Sequence, residues 1–169
     1  MGAMKARLLL VAPLLWACAS GPGPVDVRTE SALPAELQGF RTYALVPPDT
    51  GIPAVRDRIE NEIEIVLGDR GFRRVTVTEA DMVVAFRGSG RPVTRVDDTG
   101  DAGATFYRVE KYTEGTLVIS IFDTTREKRV WRGTGQIDVR SKDRRIIARD
   151  AAHAVDAVLE KFPAQPAAP

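Results

Sequence analysis

The chain is poor in the residues from which most active sites are built. Among its 169 residues there is one cysteine, Cys18, and one histidine, His153. A lone cysteine allows no intramolecular disulfide and no thiolate zinc site. There is no serine-histidine-acid order, no zinc-ligand spacing and no phosphate-cradling glycine pattern. Charge of one sign is also lacking, since 24 Lys and Arg stand against 23 Asp and Glu. Nothing in that balance points to nucleic acid. What is present, 44% hydrophobic and 28% charged residues, suits one compact domain and excludes a wholly disordered chain.

The amino terminus carries the clearest signal. Lys5 and Arg7 precede an apolar stretch from Leu8 to Ala17. That stretch falls well short of the roughly 20 residues needed to span a bilayer and matches the apolar segment of a signal peptide. Met4, directly before Lys5, serves as a start as well as Met1 does. The run ends in Leu15-Trp16-Ala17-Cys18, which resembles a bacterial lipobox, although Trp16 departs from the usual small or β-branched residue. The chemistry needs a small residue before the cut and a thiol after it. The thiol takes a diacylglycerol, and the freed amine can then be acylated, for example with palmitate. Each buried methylene contributes about 0.8 kcal/mol, so more than one acyl chain anchors a protein stably where a single chain does not. Ala17 and Cys18 are therefore the expected cleavage pair and Cys18 the expected lipid site. Loss of residues 1–17 removes Lys5 and Arg7, leaving 22 basic against 23 acidic residues. By analogy with lipoprotein sorting, Ala19 rather than an acidic residue after the cysteine points to the outer membrane, facing the periplasm. Residues 18–39, rich in Gly, Pro, Ser and charge, read as a flexible tether in which Val25, Val27 and Leu37 could let part join a sheet edge.

The domain is expected over 40–163, with 164–169 a disordered tail. Its centre is a hairpin from Glu114 to Val139. Leu117, Ile119 and Ile121 alternate with Val118, Ser120 and Phe122, and Trp131, Gly133, Gly135 and Ile137 alternate with Arg132, Thr134 and Gln136. A five-residue connection, Thr124 to Lys128, places Trp131 opposite Ile121 and Val130 opposite Phe122. A four-residue connection would bring Arg132 among the isoleucines. Gly133 and Gly135, on the core side, would let a helix lie close to the sheet.

Other strands are expected at Phe40 to Val46, Arg74 to Thr78, Asp81 to Arg87 and Phe106 to Tyr112. A first helix opens at Thr50 or Gly51 with Pro53 in its first turn, carries Val55, Ile59, Ile63, Val66 and Leu67 on one stripe, and closes at Gly71-Phe72 in a Schellman motif. Ser141 is the expected N-cap of a last helix, whose apolar stripe is Ile147, Ala151, Ala154, Val155, Val158 and Phe162. His153 points away from that stripe and reads as a solvated residue. Residues 88–104, rich in Gly, Asp and Arg, read as one long loop. Asp97, Asp98 and Asp101 within it fail the EF-hand spacing.

Six separated stretches, taken in order, resemble one known family. They are Phe40-Arg41-Thr42-Tyr43-Ala44, Leu67 to Phe72, Ala80-Asp81-Met82-Val83-Val84, Glu114-Gly115-Thr116-Leu117-Val118-Ile119, Val130-Trp131-Arg132-Gly133 and Phe162-Pro163. The family is that of the bacterial lipoproteins grouped as domain of unknown function 4136. The resemblance implies an envelope lipoprotein with a small α/β domain and brings no catalytic residue, cofactor or substrate.

The expected architecture is an α+β two-layer domain, β-α-β-β-β-β-α, with a mainly antiparallel sheet of about five strands and both helices on one face. The other face would present Val118, Phe122, Val130, Arg132, Thr134 and Gln136 to an envelope protein partner or a second copy. The function expected is a membrane-anchored, non-catalytic binding or scaffolding module without metal or cofactor beyond its lipid. The alternative is a hydrolase or metal-dependent enzyme using the acidic residues of 88–104. Cys18→Ser is expected to abolish acyl labelling and release a soluble domain, checked by metabolic labelling and membrane fractionation. Recovery of the variant still firmly membrane-bound would remove the anchor.

Overall fold

The computed structural model describes residues 25–31, 39–48, 52–98 and 107–163. Ala17, Cys18, Asp101 and the tail 164–169 lie outside them. The elements run β1 Asp26–Ser31, β2 Thr42–Val46, α1 Pro53–Asp69, β3 Arg73–Arg74, β4 Met82–Asp98, β5 Tyr107–Asp123, β6 Lys128–Val139 and α2 Arg144–Leu159. The sheet order is β1-β6-β5-β4-β2-β3, antiparallel except where β2 pairs β3 and β4 in parallel. Both helices pack on one face, so the α+β two-layer expectation holds, with six strands among the described residues in place of about five. No helix among the described residues is long and apolar enough to cross a membrane.

The central hairpin forms with Trp131 opposite Ile121, by a different route from the one expected. The turn has four residues, Thr124 to Glu127, and Phe122 pairs with Arg129, so Val130 is an extra residue in a β-bulge. A four-residue turn plus one bulged residue gives the register of a five-residue loop. The bulge moves Val130 off the open face and into the core, where it is fully buried. The turn is tied locally: Asp123 Oδ1 accepts from the backbone N–H of Thr125 at 2.8 Å and of Arg126 at 2.9 Å. Glu127 takes a left-handed φ of 50° to close it.

The first helix ends as its glycine requires. Gly71, at φ 85°, donates to the Gly68 carbonyl at 2.9 Å, and Phe72 N–H donates to that of Leu67 at 3.0 Å, completing a Schellman motif. Ile59, Ile63 and Leu67 are buried along the expected stripe. In α2 the N-cap is Asp143, not Ser141. The Asp143 carboxylate accepts from Arg145 N–H at 2.8 Å, while Ser141 Oγ accepts from Asp143 N–H at 3.0 Å one step outside. A carboxylate at this position also complements the positive end of the helix dipole.

Three expected boundaries differ. Residues 26–31, assigned to the tether, form edge strand β1 against β6, held by backbone pairing although nearly every side chain is exposed. The strand expected from Arg74 to Thr78 shrinks to Arg73–Arg74, because Glu79 N–H turns back to the Thr76 carbonyl at 3.1 Å. The long loop is largely strand: β4 continues to Asp98, matched residue for residue by β5, which runs unbroken from Tyr107 through the segment expected as a separate strand.

At one end the helices close tightly on the sheet. A Cβ on Gly133 would overlap the Trp131 ring and Val158, and one on Gly135 would come within 2.8 Å of Val158. Phe162 seals this end edge-on to Trp131 at 5.3 Å and tilted against Phe72 at 5.7 Å. Gly133→Ala is therefore expected to destabilise by about 1–3 kcal/mol through overpacking. Gly68→Ala, whose new methyl meets nothing within 4 Å, is expected to stabilise by roughly 0.5–1 kcal/mol as a helix substitution. Denaturant midpoints check both signs.

Candidate functional site

The open face of the sheet is built by register. Val118 pairs with Thr134 and Thr134 with Arg28; Ser120 pairs with Arg132 and Arg132 with Glu30; Thr116 pairs with Gln136 and Gln136 with Asp26. Paired residues share a face. Val118, Phe122, Arg132, Thr134 and Gln136 thus lie together opposite the helices, as expected, and Val130 does not. The face is mixed. Val118 is 8% exposed, covered within its own layer, while Arg132, Thr134 and Gln136 are half-buried. Long polar side chains lying along a sheet shield apolar neighbours in this way.

A second feature was not visible in the sequence. Where α1 and α2 begin, they leave part of the sheet uncovered, and a groove of about 520 Å³ opens there. Its walls are Ile52, Val55 and Ile59 of the α1 end and Ile147, Ala151 and Ala154 of α2. Its floor is Phe86, Leu117 and Ile137 with Gly88, Gly90 and Gly115. The register explains why that floor is low. Gly88 pairs with Leu117 and Gly90 with Gly115, so three glycines occupy core-facing positions where the neighbouring rows carry large side chains. Arg56 and Lys142 line the groove and none of its described lining residues is acidic. The sequence signal that could have found it is the run of glycines at 88, 90 and 115 on one face, legible only once 88–98 is known to be strand.

The acidic residues singled out at 97 and 98 are consecutive in β4, paired with Arg108 and Tyr107. Among the described residues no group of three or more His, Cys, Asp or Glu could hold a metal ion. His153 is half-buried on α2.

The family model for "Domain of unknown function (DUF4136)" matches residues 26–164, from the first residue of β1 to just past the last described residue. The chain belongs to this family. The match begins where β1 does, which agrees with that strand being part of the domain. No curated protein matches. Among solved structures, a PelC dodecamer from Paraburkholderia phytofirmans is similar in two crystal forms, one of a single-residue variant. The TM-scores are 0.55 and 0.53 at 15% and 16% identity, each over 85% of this chain and 100% of PelC. A PDZ domain protein from Parabacteroides distasonis gives 0.53 at 12% identity over 83% of this chain and 36% of its own. At such identities the likeness is one of fold.

Among the described residues two carboxyl groups have clearly shifted proton affinities, and both lie outside the groove lining. Burial works against a charge on Asp81, but its Oδ2 accepts from Arg41 N–H and Thr42 N–H, each at 2.8 Å, and from Thr42 Oγ1 at 2.9 Å, which hold it below its ordinary value. Glu62 on α1 is raised, first by burial and then by Asp156 on the facing α2, against the pull of Arg58, whose guanidinium is 2.9 Å away. A raised carboxyl binds its proton more tightly folded than unfolded, so its ionisation penalises the fold above the folded pKa. That penalty fades as pH falls toward the unfolded value. Glu62→Gln is accordingly expected to raise the thermal midpoint at pH 8 and to lose that advantage as pH falls toward the ordinary glutamate range. A pH series of melting curves checks this.

Proposed function

We propose that this domain is a non-catalytic scaffolding module, carried on the bacterial envelope by a lipid on Cys18, that assembles with further copies of itself through the ribbon formed by β4 and β5. The observation behind this reading is a mismatch of strand lengths. β4 and β5 each run for 17 residues and pair throughout. β6 follows β5 back only to Thr113, and β2 follows β4 only to Ala85. Beyond those points 86–98 and 107–112 have, among the described residues, a single strand partner each. A two-stranded ribbon is marginal in water by itself, and its open edges are templates for further pairing.

The ribbon's surface suits a like partner. Val109 is 58% exposed, and the charges alternate in sign, with Arg91 3.1 Å from Glu114 and Arg140 3.7 Å from Glu110. The fold likeness to a protein described as a dodecamer supports assembly as the property to test. The lipid, the outer-membrane location and the periplasmic orientation rest on Lys5, Arg7, Ala17, Cys18 and Ala19. The enzymatic alternative would draw on Asp97 and Asp98, which lie in paired strand, and on Asp101, which lies outside the described residues.

Light scattering of the Cys18→Ser chain is expected to show a multimer, and Val109→Lys to shift it toward monomer without lowering the thermal midpoint. A chain that stays monomeric across the accessible concentration range overturns the proposal.

A further inference from the structure

The groove between the helix starts and the glycine floor is independent of the assembly reading, and its chemistry is specific enough to name an occupant. Its volume of about 520 Å³ falls within the range of roughly 300–1,000 Å³ typical of small-molecule sites. Such a void persists because of what the floor lacks. A Cβ at Gly88 would meet nothing within 4 Å, so the space above it is empty, not filled by a neighbour. At Gly90 and Gly115 an added Cβ would come within 3.0 Å of Thr113 and Val139 respectively, so side chains there would press on the groove's own rim. The walls are aliphatic: Ile52, Val55, Ile147 and Ala151 face this floor from the two helices.

The charged groups on the lining are both cations. Arg56 Nε is buried with no acceptor in hydrogen-bond geometry: Glu60 Oε1 stands 3.5 Å from it, and a terminal nitrogen reaches Asp57 Oδ1 at 3.5 Å, both longer than the 2.7–2.9 Å of a charge-assisted bond. A buried donor met only at this length is poorly satisfied, and a ligand's anionic oxygen at a shorter distance would satisfy it better. Lys142 adds a second positive charge on the same lining. An aliphatic lining that carries only cations suits an amphiphile with an apolar chain and an anionic head.

We propose that the groove binds a long-chain fatty acid, its acyl chain lying over Gly88 and Gly90 and its carboxylate meeting Arg56 and Lys142. The test is calorimetric titration of the Cys18→Ser chain with dodecanoate, with dodecan-1-ol as the same chain bearing a neutral head, and with a two-chain anionic phospholipid dispersed as vesicles. The expected result is saturable 1:1 binding of dodecanoate, at least tenfold tighter than dodecan-1-ol. Gly88→Leu, which places a side chain into the empty space, is expected to weaken dodecanoate binding at least tenfold with an unchanged or higher thermal midpoint. Arg56→Gln is expected to weaken dodecanoate while leaving dodecan-1-ol unaffected. Absence of saturable binding, binding undiminished by Gly88→Leu, equal affinity for the two heads, or tighter binding to the phospholipid vesicles would each overturn the proposal.

Discussion

The structure depends on one irregularity in one strand pair. If β6 followed the turn without the extra residue at Val130, every side chain beyond it would exchange faces. Arg132, Thr134 and Gln136 would then point into the core, and Trp131, Gly133 and Gly135 out of it. The bulge between Ile121 and Phe122 prevents this. It also twists the strand locally, and it sets both Val130 and Trp131 among the buried residues. The turn beside it is fastened to the rest of the sheet. Thr124 Oγ1 donates to the carbonyls of Ala80 at 2.7 Å and Asp81 at 2.9 Å, and the Asp81 carboxylate in turn accepts from Arg41 N–H, just before β2, and Thr42 N–H, its first residue. The register of the hairpin and the entry into β2 and β4 are thus held by one network of polar groups at the sheet's end.

From that register follows a division of labour between two rows of glycines. On β6, Gly133 and Gly135 let α2 descend until Val158 fills the space their side chains would need. On β4 and β5, Gly88, Gly90 and Gly115 lie where the helices begin; the space over Gly88 is open, Thr113 and Val139 crowd the other two only from the rim, and a groove is left. The same absence of a Cβ gives dense packing at one end and a cavity at the other. What differs is whether a helix lies above it. At the closed end Phe162 touches both Trp131 and Phe72, and Arg70 is bound to the Phe162 carbonyl.

The sequence made legible those parts of the fold whose residues are buried on one side only. The α1 stripe at Ile59, Ile63 and Leu67, the Gly71-Phe72 closure and the pairing of Trp131 with Ile121 all follow from spacing, because one face of each element must enter the core. Where that asymmetry fails, the pattern fades. β1 exposes Asp26, Arg28, Thr29, Glu30 and Ser31, and its apolar trace is confined to Val25 and Val27, which pack against the core; the rest is held by backbone bonds that side-chain alternation does not record. The outer half of β4 reads as loop because Gly88, Gly90 and Pro92 break the pattern, although proline is compatible with a strand whose outer edge lacks a partner. Val130 was misplaced because alternation alone cannot register a bulge. The groove was out of reach for a different reason: it is an absence shared by α1, α2 and three strands, and no single stretch encodes it.

The two ends of the domain also differ in what holds them. At the closed end large side chains are fully buried, and each is held by several neighbours. At the open end the contacts are between neighbours on a two-stranded ribbon, such as Arg95 with the Tyr112 hydroxyl at 3.0 Å and its guanidinium 5.1 Å above the Tyr112 ring. Exposed pairs of this kind contribute on the order of 1 kcal/mol or less each. Local opening is therefore easier at the ribbon and groove than at the aromatic seal, since the free energy of opening tracks the apolar contact that is lost. Sites that must admit a ligand or a partner are drawn from the more easily opened part of a fold. Here the glycine floor, the cationic rim and the open strand edges all fall at that end. The Trp131 seal keeps the register intact whether or not the ribbon and groove are occupied.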